Sequence, residues 1–156
     1  MPEFFIRPAL HNDSDAVASL FDLYRQFYAQ PANPTLAKQF IQQRLMDNQS
    51  VIFLAETSAH EIVGFCQLYP LFCSIEAALF YVVYDLFVAP HARHRGIARA
   101  LLQTASHYAQ AQGAARLELA TAKTNQTAQA LYESLGWQKD ELFYVYTYSL
   151  KRPALS

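Results

Sequence analysis

The chain has 156 residues, of which 53% are hydrophobic and 16% charged, and its formal net charge is −1. This length predicts one domain over residues 1–156, with a core large enough to need neither a metal ion nor a disulfide. A net charge near zero gives no electrostatic basis for binding nucleic acid or an anionic membrane. No signal peptide and no run of about 18 uncharged apolar residues is visible. We therefore expect a soluble, cytoplasmic protein that binds neither nucleic acid nor membrane.

The first half of the chain predicts a strand, two helices and a β-hairpin. Apolar residues recur at helical spacing in two segments that prolines separate, and two apolar runs follow that a polar turn joins. These elements are predicted over residues 4–7, 14–28, 35–47, 51–56 and 62–71. Cys66 and Cys73 lack metal-ligand spacing, so we expect buried, reduced thiols and no metal site.

The second half predicts a βαβ unit, a further helix and a closing strand. The run 79–88 is apolar on both faces, as expected for a central strand covered by helices, and Asp85 is its one charge. The later elements are a helix from Ile97 to Gly113, a strand over 115–120, a helix from Asn125 to Gly136 and a strand over 142–150. The order β-α-α-β-β-β-α-β-α-β predicts an α/β (α+β) domain with a mixed, largely antiparallel sheet and helices on both faces.

A short loop, Arg93-His94-Arg95-Gly96-Ile97-Ala98, joins the central strand to the helix behind it. The free N–H groups at a helix N-terminus attract an anion, the helix dipole adds to this, and glycine lets the backbone come close. The loop also lies at the carboxyl end of a strand, where α/β sheets bind ligands. The pattern predicts a pyrophosphate site, although an ordinary strand-to-helix turn explains this loop alone equally well.

A second pattern, Asn125-x-x-Ala128-x-x-Leu131-Tyr132-x-x-Leu135-Gly136-Trp137, follows the loop. Asn125, Ala128 and Tyr132 share one side of a helix, where by themselves they read as a cap and core residues. Together with the Arg93 to Ala98 loop and the strand Asp85-Leu86-Phe87-Val88-Ala89-Pro90, however, the spacing resembles the GNAT superfamily of acyl-CoA-dependent N-acyltransferases. The resemblance covers Leu79 to Leu150 well and the first half in element order only. In the first half, Leu23-Tyr24-Arg25-Gln26-Phe27-Tyr28, the second helix and the strand Phe53-Leu54-Ala55-Glu56 look like the branch of the polyamine and histone acetyltransferases.

The resemblance implies an acetyl-CoA-dependent N-acetyltransferase in which an amine attacks the thioester directly. Backbone groups of the strand would pair with the pantetheine arm, the loop would cradle the pyrophosphate, and Tyr132 would protonate the leaving thiolate. The implied cofactor-binding residues are Leu86, Phe87, Val88, Arg93, His94, Arg95, Gly96, Ile97, Ala98, Arg99, Asn125 and Ala128.

Two positions depart from the pattern of that branch. Tyr84 stands where a glutamate is common, so either Asp85 takes the amine proton through a water molecule or no dedicated base exists. His94 and Ala98 stand where glycines are usual, and His94 adds strain if its φ must be positive.

The acceptor site is predicted from aromatic residues. Tyr24, Tyr28, Phe72, Tyr81 and Tyr84 are candidates for a wall around an amine, and Asp85 for binding its cation. These residues predict a small primary amine or polyamine as acceptor. A protein, peptide, amino-acid or antibiotic amine is the alternative, as is a non-catalytic acyl-CoA-binding module, against which Tyr132 argues.

The last predicted strand, Leu142-Phe143-Tyr144-Val145-Tyr146-Thr147-Tyr148, is aromatic on both faces. Such a strand could pair with a second subunit, which predicts a homodimer. The alternative is a strand within the sheet of the monomer.

Overall fold

A computed structural model describes residues 3–151, and the chain divides into two compact units, Met1–Ala120 and Thr121–Ser156. The strands are β1 (Phe4–Pro8), β2 (Val51–Thr57), β3 (Ile62–Cys73), β4 (Ala78–Val88) and β5 (Leu117–Glu118). The helices are α1 (Ser14–Phe27), α2 (Pro34–Met46), α3 (Ile97–Ala111) and α4 (Gln126–Ser134), with 3-10 turns at His11–Asp13 and Pro90–Ala92. The expectation of one domain over residues 1–156 stays a prediction.

The five strands form one sheet in the order β1-β2-β3-β4-β5. The first four strands pair antiparallel with their neighbours, and β5 pairs parallel with β4 after the α3 crossover. This arrangement confirms the predicted α/β fold with a largely antiparallel sheet and a βαβ unit.

Helices cover both faces of this sheet. The ring of Phe65 on β3 lies 6.4 Å from that of Phe21 on α1. The preceding residue, Gly64, lies against α3, because a Cβ built on it would come within 3.2 Å of Ile97. Since successive strand residues point to opposite faces, α1 and α3 cover opposite faces of the sheet. Ile41 of α2 belongs to the same buried cluster as Phe65, so α2 lies on the α1 face.

Local side-chain contacts fix where the first helices begin. The side chain of Asn33 accepts a hydrogen bond from the Leu36 N–H at 3.1 Å and caps α2. Asp13 lies at the N-cap position of α1 but makes no cap bond there. Its carboxylate instead binds Arg7 at 2.8 Å, and Arg7 also pairs with Glu56 at 2.5 Å. These pairs join β1 to the α1 entry and to β2.

The predicted closing strand over residues 142–150 is wrong, because these residues have no strand structure. A strand needs a partner for its backbone N–H and C=O groups as well as a suitable side-chain pattern. The described part of the Thr121–Ser156 unit contains no other strand that could supply one. The homodimer predicted from this segment stays a prediction.

Candidate active site

The β3–β4 ladder is interrupted at one point by an extra residue. Gln67 pairs with Asp85, whereas the next residue of β3, Leu68, pairs with Val83, so Tyr84 is left as a β-bulge. The Tyr84 ring contacts that of Tyr69, with centroids 5.6 Å apart. Because Tyr69 and Gln67 lie on the same face of β3, the bulge directs both Tyr84 and Asp85 toward the α1–α2 face.

Asp85 is held in the core by neutral hydrogen-bond donors. Its side chain is buried, and its carboxylate accepts a hydrogen bond from the amide nitrogen of the fully buried Gln67. The hydroxyl of Ser50 donates to the Gln67 carbonyl oxygen at 2.6 Å. Because the Gln67 carbonyl oxygen faces Ser50, its NH₂ group faces Asp85. This orientation suits an ionised carboxylate, which can accept hydrogen bonds but cannot donate them.

The electrostatics of Asp85 suit a group that gains and loses a proton near neutral pH. Burial raises the pKa of this carboxyl to about 6, while the hydrogen bond from Gln67 and the nearby Tyr24 hydroxyl act in the opposite direction. At pH 7 the group is therefore mainly a carboxylate. Its affinity for a proton is nevertheless higher than that of an exposed aspartate.

Tyr24 links α1 to the bulge. Its hydroxyl donates to the backbone carbonyl of Tyr84 at 3.0 Å. Its ring is half-buried, 6.2 Å from that of Phe87 and 5.1 Å from that of the more exposed Tyr28. Burial and the nearby Asp85 charge raise the pKa of Tyr24, so its hydroxyl stays protonated and remains a donor.

The predicted aromatic wall needs one correction. Tyr24 and Tyr84 lie on the α1–α2 face, but Tyr81 is 6% exposed and packs 5.6 Å from the ring of Tyr108 on α3. Tyr81 therefore belongs to the core on the opposite face of the sheet and does not line the Asp85 site. Phe72 is exposed and pairs with Leu79, farther along the hairpin.

The loop before α3 has the backbone shape that the anion hypothesis requires. Both His94 (φ 64) and Gly96 (φ 79) are left-handed, and α3 begins at Ile97, directly behind them. Histidine is among the residues that tolerate this conformation better than most. Ala98 lies in the first turn of α3 without a positive φ, so an alanine there adds no backbone strain. The chain thus keeps the cradle shape with a single glycine.

The same loop is tied back to the central strand. Arg93 donates from Nε to the Val88 carbonyl at 3.0 Å, and its guanidinium lies 5.5 Å from the centre of the Phe87 ring. Since β5 pairs only with Tyr81 and Val82, the Leu86–Val88 segment has no strand partner on that edge within the Met1–Ala120 unit. The pairing of a pantetheine arm along this open edge stays a prediction, and the Val88 carbonyl already accepts a hydrogen bond from Arg93.

The second unit holds the remaining predicted residues. The Asn125 side chain accepts from the Ala128 N–H at 3.1 Å and caps α4. The Tyr132 ring lies 6.0 Å from that of Trp137, and the backbone N–H of Trp137 donates to the backbone carbonyl of Tyr132 at 3.0 Å. Asn125 therefore has the capping role that the sequence allowed, and the cofactor role of this helix stays a prediction.

Sequence reasoning missed Gln67 and Ser50. Gln67 is a single polar residue in an otherwise apolar strand, as is Asp85 in the next strand along the chain. Two such residues in adjacent antiparallel strands are a detectable signal, since each needs a hydrogen-bond partner once buried.

Neither a metal site nor a membrane segment is found in the described part of the chain. Residues 3–151 contain no group of three or more His, Cys, Asp or Glu side chains able to hold a metal ion. None of the described helices combines the length and the hydrophobicity needed to cross a bilayer. Both cysteines are free; Cys66 is buried as expected, but Cys73 only partly.

Comparison with known proteins identifies the class of enzyme. A model of the acetyltransferase (GNAT) family matches residues 17–137, and the chain belongs to this family. It is therefore an acetyl-CoA-dependent N-acetyltransferase.

Two relatives and a solved structure support this assignment. The chain is 43% identical to the N-acetyltransferase YhfO of Bacillus subtilis over 90% of its own length and 94% of the relative. It is 30% identical to a probable acetyltransferase of Haemophilus influenzae, with 83% and 88% of the two chains covered. The crystal structure of a probable acetyltransferase superposes with a TM-score of 0.89 at 35% identity, covering 96% of this chain and 99% of the other.

Gly96 allows a direct test of the cradle. A Cβ at this position would meet no atom within 4 Å, so Gly96→Ala should destabilise the fold by only about 1 kcal/mol, through its positive φ. The added methyl group would stand where the loop meets its anion, so the affinity for acetyl-CoA should fall at least roughly tenfold by calorimetry.

Gly113→Ala is the matched control for this variant. Gly113 also has a positive φ (76) and open space around its Cβ position, but it follows the other end of α3. Its replacement should cause a similar loss of stability with unchanged affinity. Equal acetyl-CoA affinity in the two variants would contradict the cradle.

Proposed function

We propose that the enzyme transfers an acetyl group from acetyl-CoA directly to a small primary amine, and that Asp85 accepts the proton of that amine. Polyamines belong to this class of acceptor; amino acids, the alternative named above, carry the same reacting amine. Membership of the polyamine and histone acetyltransferase branch, a homodimer and a cytoplasmic location stay predictions.

The observation that carries the proposal is the buried carboxylate beside the bulge. An alkylammonium has a pKa near 10 and must lose a proton before its nitrogen can attack. Asp85 combines a negative charge, which binds the cation, with a pKa raised to about 6 by burial. A carboxylate in these surroundings can both attract an ammonium group and take its proton, directly or through water.

The leaving thiolate needs a proton from a second group. Bound acetyl-CoA supplies an activated acetyl thioester, whose C–S bond breaks as the N–C bond forms. We assign the proton donor to Tyr132, whose hydroxyl is the acid implied by the family pattern in α4. Asp85 thus takes the first proton of the ammonium group, and Tyr132 gives its proton to the sulfur. The second proton, which the nitrogen loses as the amide forms, restores the Tyr132 hydroxyl through solvent.

A thiol-release assay across acceptors tests this proposal. Purified enzyme with acetyl-CoA should release CoA when given small primary amines, at rates well above hydrolysis. A panel of monoamines, diamines, polyamines and amino acids should be compared with a lysine peptide and with a peptide having a free N-terminus. Release on the peptides without release on any small amine would contradict the proposal.

The pH dependence of kcat/KM should report the ionisation of Asp85. Activity should fall below a bend near pH 6, because the protonated carboxyl can accept no further proton, and Asp85→Asn should remove the bend. Gln67→Leu deletes a hydrogen bond that favours the carboxylate form, so the bend should move upward by about one pH unit.

Ser50→Ala is a milder comparison for Gln67→Leu, because it removes the hydroxyl that orients Gln67 but leaves the Gln67 amide beside Asp85. Its bend should move less than that of Gln67→Leu. A profile with no bend near pH 6, or the same bend in Gln67→Leu as in the wild type, would count against Asp85 as the proton acceptor.

Tyr132→Phe should lower kcat by about 100-fold, a typical contribution of a positioned acid, with little change in the acetyl-CoA Kd. Steady-state kinetics measures kcat, and calorimetry measures the acetyl-CoA Kd separately. Tyr144→Phe removes a hydroxyl from another residue of the same unit and should change neither. A loss of affinity as large as the loss of turnover would refute the acid role.

A further inference from the structure

Arg44 is a fixed cation on the same face of the sheet as Asp85. It lies in the last turn of α2, half-buried, with its Cζ atom 4.2 Å above the centre of the Phe40 ring. Phe40 is itself stacked on Phe21 of α1, with centroids 5.3 Å apart. Packing between the two helices therefore determines where this guanidinium lies.

Arg44 has no protein anion as a partner in residues 3–151. Arg7, Arg25, Arg116 and Lys38 each lie within ion-pairing distance of a carboxylate, but Arg44 forms no such pair there. Its Nε atom is buried without a hydrogen-bond partner among the described residues. A partly buried cation and a buried unpaired donor both reduce stability, so this arrangement needs an explanation other than structural support.

Tyr69 lies near both Arg44 and Asp85. Its pKa, about 12, is raised by burial and by the Asp85 charge and lowered by the Arg44 charge and by hydrogen bonding to Arg44. The Tyr69 ring also contacts that of Tyr84 at the bulge. A negative group, a positive group and two tyrosines thus share one face of the sheet.

We propose that Arg44 binds a carboxylate of the acceptor, so that the preferred acceptor is an amino acid or another small aminocarboxylic acid. The inference rests on the proposed transfer to a small amine and names its substrate class. The ammonium end is attracted to Asp85 and the carboxylate end to Arg44, which fixes the orientation of the zwitterion.

Charge and geometry favour a carboxylate over other groups at Arg44. A guanidinium offers two parallel N–H donors that match the two oxygens of a carboxylate, and one positive charge balances one negative charge. A diamine or polyamine of similar length would instead bring a second ammonium group toward Arg44, where like charges repel. The same contact thus selects aminocarboxylic acids and disfavours polyamines.

Matched acceptors test the substrate class by thiol release. One set is γ-aminobutyrate, its primary amide and putrescine, and a second is alanine and alaninamide, each compared at equal concentration of free amine. At least one acid should exceed its amide in kcat/KM by roughly 10- to 100-fold, the value of hydrogen bonds to a charged group. Putrescine should be the poorest of its set.

Variants test whether Arg44 is the cause. Arg44→Met keeps an unbranched chain over Phe40 and should bring the acid-to-amide ratio close to one, whereas Arg44→Lys should retain part of it. Lys38→Met removes a charge from the same helix at a residue paired with Asp15, and it should retain the full ratio. Urea unfolding and acetyl-CoA binding check that each variant is folded, and Arg44→Gln replaces Arg44→Met if the latter is not.

The outcomes separate this inference from the proposed function. Equal rates on acid and amide in the wild type, a preference for putrescine, or an unchanged ratio in Arg44→Met would overturn the role of Arg44 while small-amine acetylation stands. Turnover of peptides alone would contradict the proposed function itself. In that case, calorimetric titration of γ-aminobutyrate into the wild type and Arg44→Met, with CoA present, still tests the carboxylate site, and equal binding by both would overturn it.

Discussion

The hydrogen bond between Gln67 and Asp85 is the interaction on which the rest of the site depends. It satisfies a buried carboxylate that would otherwise be strongly destabilising in the core. It also pairs these residues across β3 and β4, next to the step where Tyr84 becomes the extra residue. A shift of this register by one residue would turn the Asp85 side chain toward the other face of the sheet. The polar pair, the bulge and the site therefore form together or not at all.

The sheet separates the two tasks of the Met1–Ala120 unit. On one face, α3 packs closely over Gly64, and the loop before it has the left-handed residues His94 and Gly96, where the pyrophosphate site is predicted. On the other face, Tyr24 of α1 contacts the bulge beside Asp85, and α2 holds Arg44 over Phe40. The open edge of β4 lies between these faces. A thioester extended along that edge would therefore be accessible from the amine side.

Much of this organisation could be predicted from the sequence, and each failure has a physical cause. Periodicity predicted the strands and helices of the first unit because each buries one face. Tyr81 was a candidate for the acceptor wall but lies on the other face. Tyr81 and Asp85 are four residues apart and would share a face in a regular strand; the bulge at Tyr84 reverses this parity. The strand prediction over residues 142–150 is wrong because a side-chain pattern does not show whether the backbone has a hydrogen-bonding partner. Arg44 was missed because an arginine on a helix is unremarkable until its lack of a carboxylate partner is seen in three dimensions.

The separation of Asp85 and Arg44 is the strongest reason to regard them as ligand-binding groups. If both charges served only the fold, a direct ion pair would satisfy both at once, as Arg7 and Asp13 do. Instead Asp85 is held by the neutral donor Gln67, and Arg44 lies over an aromatic ring. Among the described residues, therefore, neither Asp85 nor Arg44 forms an ion pair with a group of opposite charge. A bound zwitterion would supply an opposite charge to each of the two groups. The free energy that the unpaired charges cost the free protein would then contribute to binding the acceptor and to fixing its orientation.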